Sequence, residues 1–229
     1  MKFEEVAALL SRGRIVDLSK QVNPGGAEGP LDTGKRKYEI EQFTFPPGEL
    51  MHNITMESHI STHVEAPSHF VPVRYAKAAK DVSEVALEHF FGMAAFVDCK
   101  KLPLRAAVGR EHLEKFDIRD NDIVLFGNCI HEGTDRCHLV KSAAEYLLEK
   151  KVKMMGIDDT VFPEDPDLPK TLENYLCHDL MLSNDIPIIE GLNHMDQLRK
   201  PRFLFFALPA RMGGLEAFPI RAMAVEERE

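Results

Sequence analysis

The sequence predicts an α/β fold, on three observations. Five short apolar runs, AAFVDC, DIVLF, VKMMGID, IPIIE and RFLFFAL, have the length and unbroken hydrophobicity of buried strands. Around them lie stretches with helical spacing: VSEVALEHFF, REHLEKF, VKSAAEYLLEK and LPKTLENYLCHDLML. The 229 residues hold no linker, repeat or low-complexity segment, so one domain over residues 1–229 with one sizeable core is expected.

The flanking segments follow from local chemistry. Phe3, Val6 and Leu10 recur at helical spacing and predict a short amphipathic helix before the strand-like RIVDLS. The glycines and prolines of NPGGAEGPLDTG cannot build a regular element, and so long a connection suggests a lid or an arm over a site. YEIEQFTF alternates as a strand does, with a phase slip near Gln42 that reads as a bulge. In FPIRAMAV, Phe218, Ile220, Ala222 and Ala224 alternate against Arg221 and Met223, the pattern of a half-exposed strand.

Composition narrows the partners. With 44% hydrophobic and 28% charged residues the chain reads as a soluble globular protein, and a net charge of -9 gives no electrostatic reason to hold nucleic acid or an anionic membrane. No segment approaches the roughly 20 apolar residues of a membrane span. Glu4 and Glu5 stand where a secretory signal has a basic start, and the four cysteines lack CxxC spacing. The expectation is a reduced, cytoplasmic protein acting on a small molecule.

Chemistry concentrates in SHISTHVEAPSHF, residues 58–70, which hold three histidines and a glutamate. The β-branched Ile60, Thr62 and Val64, and Pro67 after Ala66, disfavour a helix. In a strand His63 and Glu65 point the same way, and a turn near Ser61 brings His59 to the same point. Two imidazoles and a carboxylate suit Zn2+, or Mn2+ where water and carboxylate complete the shell. His69, beyond the proline, fits a proton shuttle better than a further ligand. The bland reading is a polar loop, which the density of these residues disfavours.

Two polar residues elsewhere are stranded among apolar neighbours. Glu190 closes IPIIE, where a buried carboxylate needs a partner, and His178 sits in YLCHDLML on the core side of a helix. Each is equally readable as a satisfied core residue. Cys129, His131, Cys137 and His138 lack the spacing of a second metal site and read as loop and helix-start residues, with His131 a candidate pocket wall. His52, His89, His112 and His194 read as surface residues.

SHISTHVEAPSHF resembles the HTGTHxDAPxHF signature of the metal-dependent cyclase-like hydrolases, a family of the bacterial kynurenine formamidase and isatin hydrolase type. The resemblance runs from IVDLS through GID at 156–158 and IPIIEGL at 186–192 to PIRAMAV. It implies a swivelling β/β/α fold, a mixed sheet with flanking helices, and a homodimer or homotetramer. It also implies metal ligands at His59, His63, Glu65, His178 and Glu190 for one or two ions, with Glu65 bridging in the binuclear case, and a catalytic role for His69. The sequence departs from the signature at Glu65, where aspartate is usual, at Ser61, where glycine is usual, and at Asp179, where arginine is common.

The expected activity is metal-dependent hydrolysis of a carbon-nitrogen bond in a small linear, formamide-like, or cyclic amide. A lactone or ester hydrolase using the same site is the alternative, as is a non-catalytic metal-binding member. The absence of tryptophan weakens the case for a kynurenine-type aryl substrate.

Overall fold

Four of the five apolar runs form the parallel centre of a nine-stranded mixed sheet. In the computed structural model, which describes residues 3–28 and 34–228, Phe91–Asp98, Ile123–Gly127, Met154–Asp158 and Ile188–Leu192 lie side by side and parallel. The fifth run, Arg202–Phe206, pairs antiparallel with Phe91–Asp98, and Met223–Glu226 and Arg14–Asp17 extend that side. On the other side His63–Glu65 pairs antiparallel with Ile188–Leu192, and Ala217–Pro219 follows it.

This order forces the sheet to curl. Ala217–Pro219 and Met223–Glu226 are separated by six strands in the sheet, which on a flat surface spans about 34 Å. The chain from Pro219 to Met223 reaches at most about 15 Å. The two ends of the sheet therefore approach each other. Backbone bonds mark the seam: Leu18 N donates to Ala222 O at 2.9 Å, Ile220 N to Thr62 O at 3.0 Å and Asn193 N to Leu18 O at 2.9 Å.

Both faces of the central strands are apolar because both are covered. Inside the curl Phe96, Ile123, Leu125, Met154 and Ile189 pack against Val64, Phe203 and Phe205. On the outer face Val97, Val124, Phe126, Met155 and Ile188 meet Ala143, Ala144 and Leu147 of the helix Lys141–Glu149 and Met181 and Leu182 of the helix Leu176–Leu182. Gly156 lies within this packing. A Cβ there would stand 2.7 Å from Leu125 Cδ2 and 3.1 Å from Leu192 Cδ1. Gly156→Ala is expected to cost about 1–3 kcal/mol, read as a fall in Tm of roughly 2–4 °C per kcal/mol.

Several sequence expectations are corrected. VSEVALEHFF is not an α-helix but turns followed by a 3-10 helix at Leu87–Phe90. Val82 N donates to Leu215 O, Ser83 N donates to the Asp81 carboxylate, and Val82 and Val85 are buried, so one tertiary bond and a local turn on Asp81 stand where a helix would run. REHLEKF is α-helical only over Arg110–Leu113, and LPKTLENYLCHDLML divides into a 3-10 turn at Leu172–Asn174 and the helix Leu176–Leu182. FPIRAMAV is split between two strands, because the seam runs through it.

The helix Phe3–Arg12 forms as expected. In the glycine-rich segment Ala27–Glu28 pairs with Lys35–Arg36, so part of it is regular; residues 29–33, where the lid or arm reading also falls, lie outside the described residues. Tyr38–Phe45 pairs with Glu49–Met56 in unbroken register, so there is no bulge at Gln42. Among the described residues no helix is long and apolar enough to cross a membrane.

Candidate metal centre

Strand register gathers half of the candidate residues. His63 lies opposite Glu190, and Glu65 lies opposite Ile188. Val64 packs inside the curl while Ile188 faces the outer layer, so His63, Glu65 and Glu190 emerge together on the outer face. The helix Leu176–Leu182 covers that face and brings buried His178 over them. Before the strand the chain turns at Ser61, whose φ of 61° is left-handed, the region glycine enters without a steric penalty. Gly191 is needed beside this turn: its φ is 72°, and a Cβ would stand 2.5 Å from Ser61 O. After the strand, Ala66 is extended and Pro67 starts the 3-10 turn Pro67–His69, which returns His69 toward Glu65.

Glu65 is the centre of the cluster. Its Oε1 lies 3.3 Å from His59 Nε2, 3.7 Å from His63 Nε2 and 3.6 Å from His69 Nε2, and its Oε2 lies 3.4 Å from His178 Nε2. His178 Nε2 is also 3.6 Å from Glu190 Oε1. All six candidate residues therefore converge, in groupings unlike the sequence trio. The donor atoms of His59, Glu65 and His69 form one set with mutual distances within 4.8 Å, and those of His63, Glu65 and Glu190 form another. His69, separated from the ligands by sequence reasoning, has Nδ1 3.2 Å from His59 Nε2.

The donor chemistry fits a cation. His63 Nδ1 donates to Ser61 O at 3.1 Å, so its Nε2 presents a lone pair; that atom and Glu65 Oε2 are buried without a hydrogen-bond partner. His178 Nδ1 donates to Glu164 Oε1 at 3.0 Å, directing the other ring nitrogen at two carboxylates. Buried acceptors facing one another are costly unless something positive lies between them. Ligands about 2.0–2.2 Å from a tetrahedral ion stand about 3.3–3.6 Å from each other, close to the separations around Glu65.

Without a cation, protons take that place. Burial opposes charge on His63, but the nearby Glu65 and Glu190 carboxylates raise its pKa above the ordinary 6.5. Burial acts likewise on His178, and the hydrogen bond to Glu164 with the nearby Glu190 and Glu65 carboxylates raises it well above that value. Burial disfavours the Glu65 carboxylate, yet the His178, His59, His63 and His69 imidazoles around it hold it well below the ordinary 4.5. His69 differs: burial dominates and lowers its pKa.

The depressed carboxyl contributes stability above its ordinary pKa that is lost as pH falls through the folded value. The raised imidazoles contribute stability below 6.5 that is lost as pH rises through theirs. Chelator-treated protein should thus melt at a lower temperature at pH 9 than at pH 6, whereas added Zn2+ should protect more at the higher pH, because ligands must shed protons to bind it. A melting temperature of the chelated protein that climbs between these values would contradict this account.

Sequence reasoning missed two acidic supports. Glu164 accepts from Cys177 N and His178 N, each at 2.9 Å, and from His178 Nδ1, so it starts the helix and orients the imidazole. Glu216 accepts from Ser58 Oγ at 2.5 Å and lies 3.5 Å from His59 Nδ1. Glu164 sits in FPEDPDLP, an acidic, proline-rich stretch that reads as surface loop, and Glu216 joins only through the seam. Asp179 points elsewhere, accepting from Tyr75 Oη at 2.6 Å and Ser183 Oγ at 2.9 Å.

Cys129, His131, Cys137 and His138 form no metal-binding group among the described residues. His131 instead bonds Leu102 O at 2.9 Å. His52 and His194 are exposed, and His89 and His112 are half-buried.

The kynurenine formamidase of Bacillus thuringiensis (strain Al Hakam) is 26% identical over 214 residues, covering 91% of this chain and 95% of the relative. Isatin hydrolase A from Labrenzia aggregata, solved bound to benzyl benzoate, superposes with a TM-score of 0.77 at 20% identity, covering 99% of both chains. A structure described as a potential metal-dependent hydrolase with cyclase activity gives a TM-score of 0.68 at 22% identity, covering 94% of this chain and 99% of that one. The Cyclase family model, described as "Putative cyclase", matches residues 16–162; the chain belongs to this family.

Proposed function

We propose that the chain is a metal-dependent hydrolase that cleaves a carbon-nitrogen bond in a small linear or cyclic amide. One observation carries the proposal: His63 Nε2 and Glu65 Oε2 are buried without hydrogen-bond partners in a cluster with four further titratable side chains. The names of the relatives, a formamidase and an isatin hydrolase, support the choice of bond.

His59, His63, Glu65, His178 and Glu190 would hold Zn2+ or Mn2+, as one or two ions. Such an ion acidifies water and polarises a carbonyl. Glu164 fixes His178 through Nδ1, and Ser61 fixes His63 in the same way. His69 stands at the more open side of the cluster, its side chain 30% exposed. Burial keeps it neutral near pH 7, so its Nε2 accepts a proton from the attacking water and returns it to the departing nitrogen. The enzyme would act in the cytoplasm, as one domain over residues 1–229.

The test is a parallel assay of an N-formyl aryl amine, a cyclic imide and a lactone, with protein stripped by chelator and reloaded with Zn2+ or Mn2+. Amide turnover lost on stripping and restored on loading is expected. Turnover of the lactone alone would refute the choice of bond, and inactivity of the loaded protein on all three would refute the enzyme.

A further inference from the structure

We infer that Ser58 and Glu216 are positioning residues that set the tautomer of His59: they hold the ring proton on Nδ1, so that Nε2 is presented to the cluster as a lone pair. The inference rests on the reading of His59 as a cation ligand and names the residues that prepare it for that role.

A proton count carries it. Ser58 Oγ donates to Glu216 Oε1 at 2.5 Å, the separation of a hydroxyl proton given to an ionised carboxylate. Glu216, its side chain 38% exposed, is ionised near neutral pH and only accepts. Serine has one hydroxyl proton, and here it is committed. Ser58 Oγ also lies 3.1 Å from His59 Nδ1, so in that contact the ring nitrogen is the donor. A neutral ring then has no proton left for Nε2.

The count continues inward. His59 Nε2 lies 3.2 Å from His69 Nδ1, and two lone pairs facing each other at that distance are costly. In the cation-free protein His69 Nδ1 therefore donates, which leaves His69 Nε2 unprotonated on the side of Glu65 Oε1. One surface carboxylate thus fixes the proton positions of two successive rings. A cation arriving at His59 Nε2 takes the lone pair in place of the His69 N–H.

Backbone pairing delivers Glu216 to this point. Its carbonyl accepts from Ala66 N at 2.8 Å, beside the pairing of Ala217 with Glu65. Without Glu216 the Ser58 proton is free to turn to His59 Nδ1. The ring proton then moves to Nε2, 3.3 Å from Glu65 Oε1, and has to be shed before a cation binds.

Long-range nitrogen–proton NMR spectra of histidine-labelled, chelator-treated protein, recorded at a pH where His59 is neutral, read the tautomers directly. His59 and His69 are expected as Nδ1–H forms, and Glu216→Ala should move the His59 proton to Nε2. In calorimetric titration with Zn2+, Glu216→Ala and Ser58→Ala should each lower affinity by roughly 10–100-fold, and Ser58→Thr, which keeps a hydroxyl, should retain it. Circular dichroism checks the fold, and the Ser58→Ala spectrum replaces that of Glu216→Ala if the latter misfolds. A wild-type His59 protonated on Nε2 overturns the inference, as does a Glu216→Ala protein whose His59 proton stays on Nδ1. Because the tautomer is read without a cation, a wild type that takes up no Zn2+ refutes the ligand reading while the proton assignment is still decided by the spectra.

Discussion

Glu65→Gln should abolish cation binding and lower kcat/KM by at least about 10³, equivalent to roughly 4 kcal/mol of transition-state stabilisation. The carboxylate lies within 3.3–3.7 Å of four imidazole nitrogens, so its charge serves all four rings. Glutamine keeps the shape and replaces one acceptor with a donor that faces ring nitrogens. The cost extends to folding, because a buried imidazolium deprived of its counter-ion is destabilising by about 3–5 kcal/mol. Glu65→Asp separates charge from reach. It restores the carboxylate usual in the signature but withdraws it by one methylene, so it should keep a cation with lower affinity. Elemental analysis and calorimetric titration read both variants; full cation occupancy in Glu65→Gln would remove Glu65 from the centre of the site.

His69→Ala should lower kcat by about 10²–10⁴, the usual range for a general acid-base group, and leave cation content unchanged. Its side chain is the more exposed end of the His59 and His69 pair, and its lowered pKa suits a group that accepts a proton near neutrality. Its Nε2 lies 3.6 Å from Glu65 Oε1, so a ligand role is geometrically accessible. Elemental analysis decides between the roles: cation lost along with turnover would make His69 a ligand. A flattened lower limb of the pH profile with cation retained would support proton transfer.

The sequence made the parallel core legible because strands buried on both faces leave unbroken apolar runs, as in IVLFG and MMGID. Its failures have physical causes. VSEVALEHFF has helical spacing, but its backbone is bonded to the chain near Leu215, a partner more than a hundred residues away. ELMHNITM was not recognised as a strand because it presents apolar residues to solvent instead of a core. In the site, β-branched neighbours and the proline revealed that His63 and Glu65 share a strand face and that a turn precedes them. Glu164 stayed invisible because its role depends on Cys177 and His178, thirteen and fourteen residues away, and on a helix start that no local residue caps.

The seam also sets the order in which this protein can be built. His63–Glu65 is held between Ile188–Leu192 and Ala217–Pro219, so a nascent chain carries His59 and His63 long before the strands that flank His63 exist. Pairings this distant in sequence close slowly. Until translation passes residue 219, His59, His63 and Glu65 belong to an unpaired segment whose metal affinity lacks the folded enclosure. With the proposed ligand set, capture of an ion would be a late event in biogenesis, coupled to closure of the curl, and a ribosome-bound chain stopped before Ala217 should hold the cation weakly.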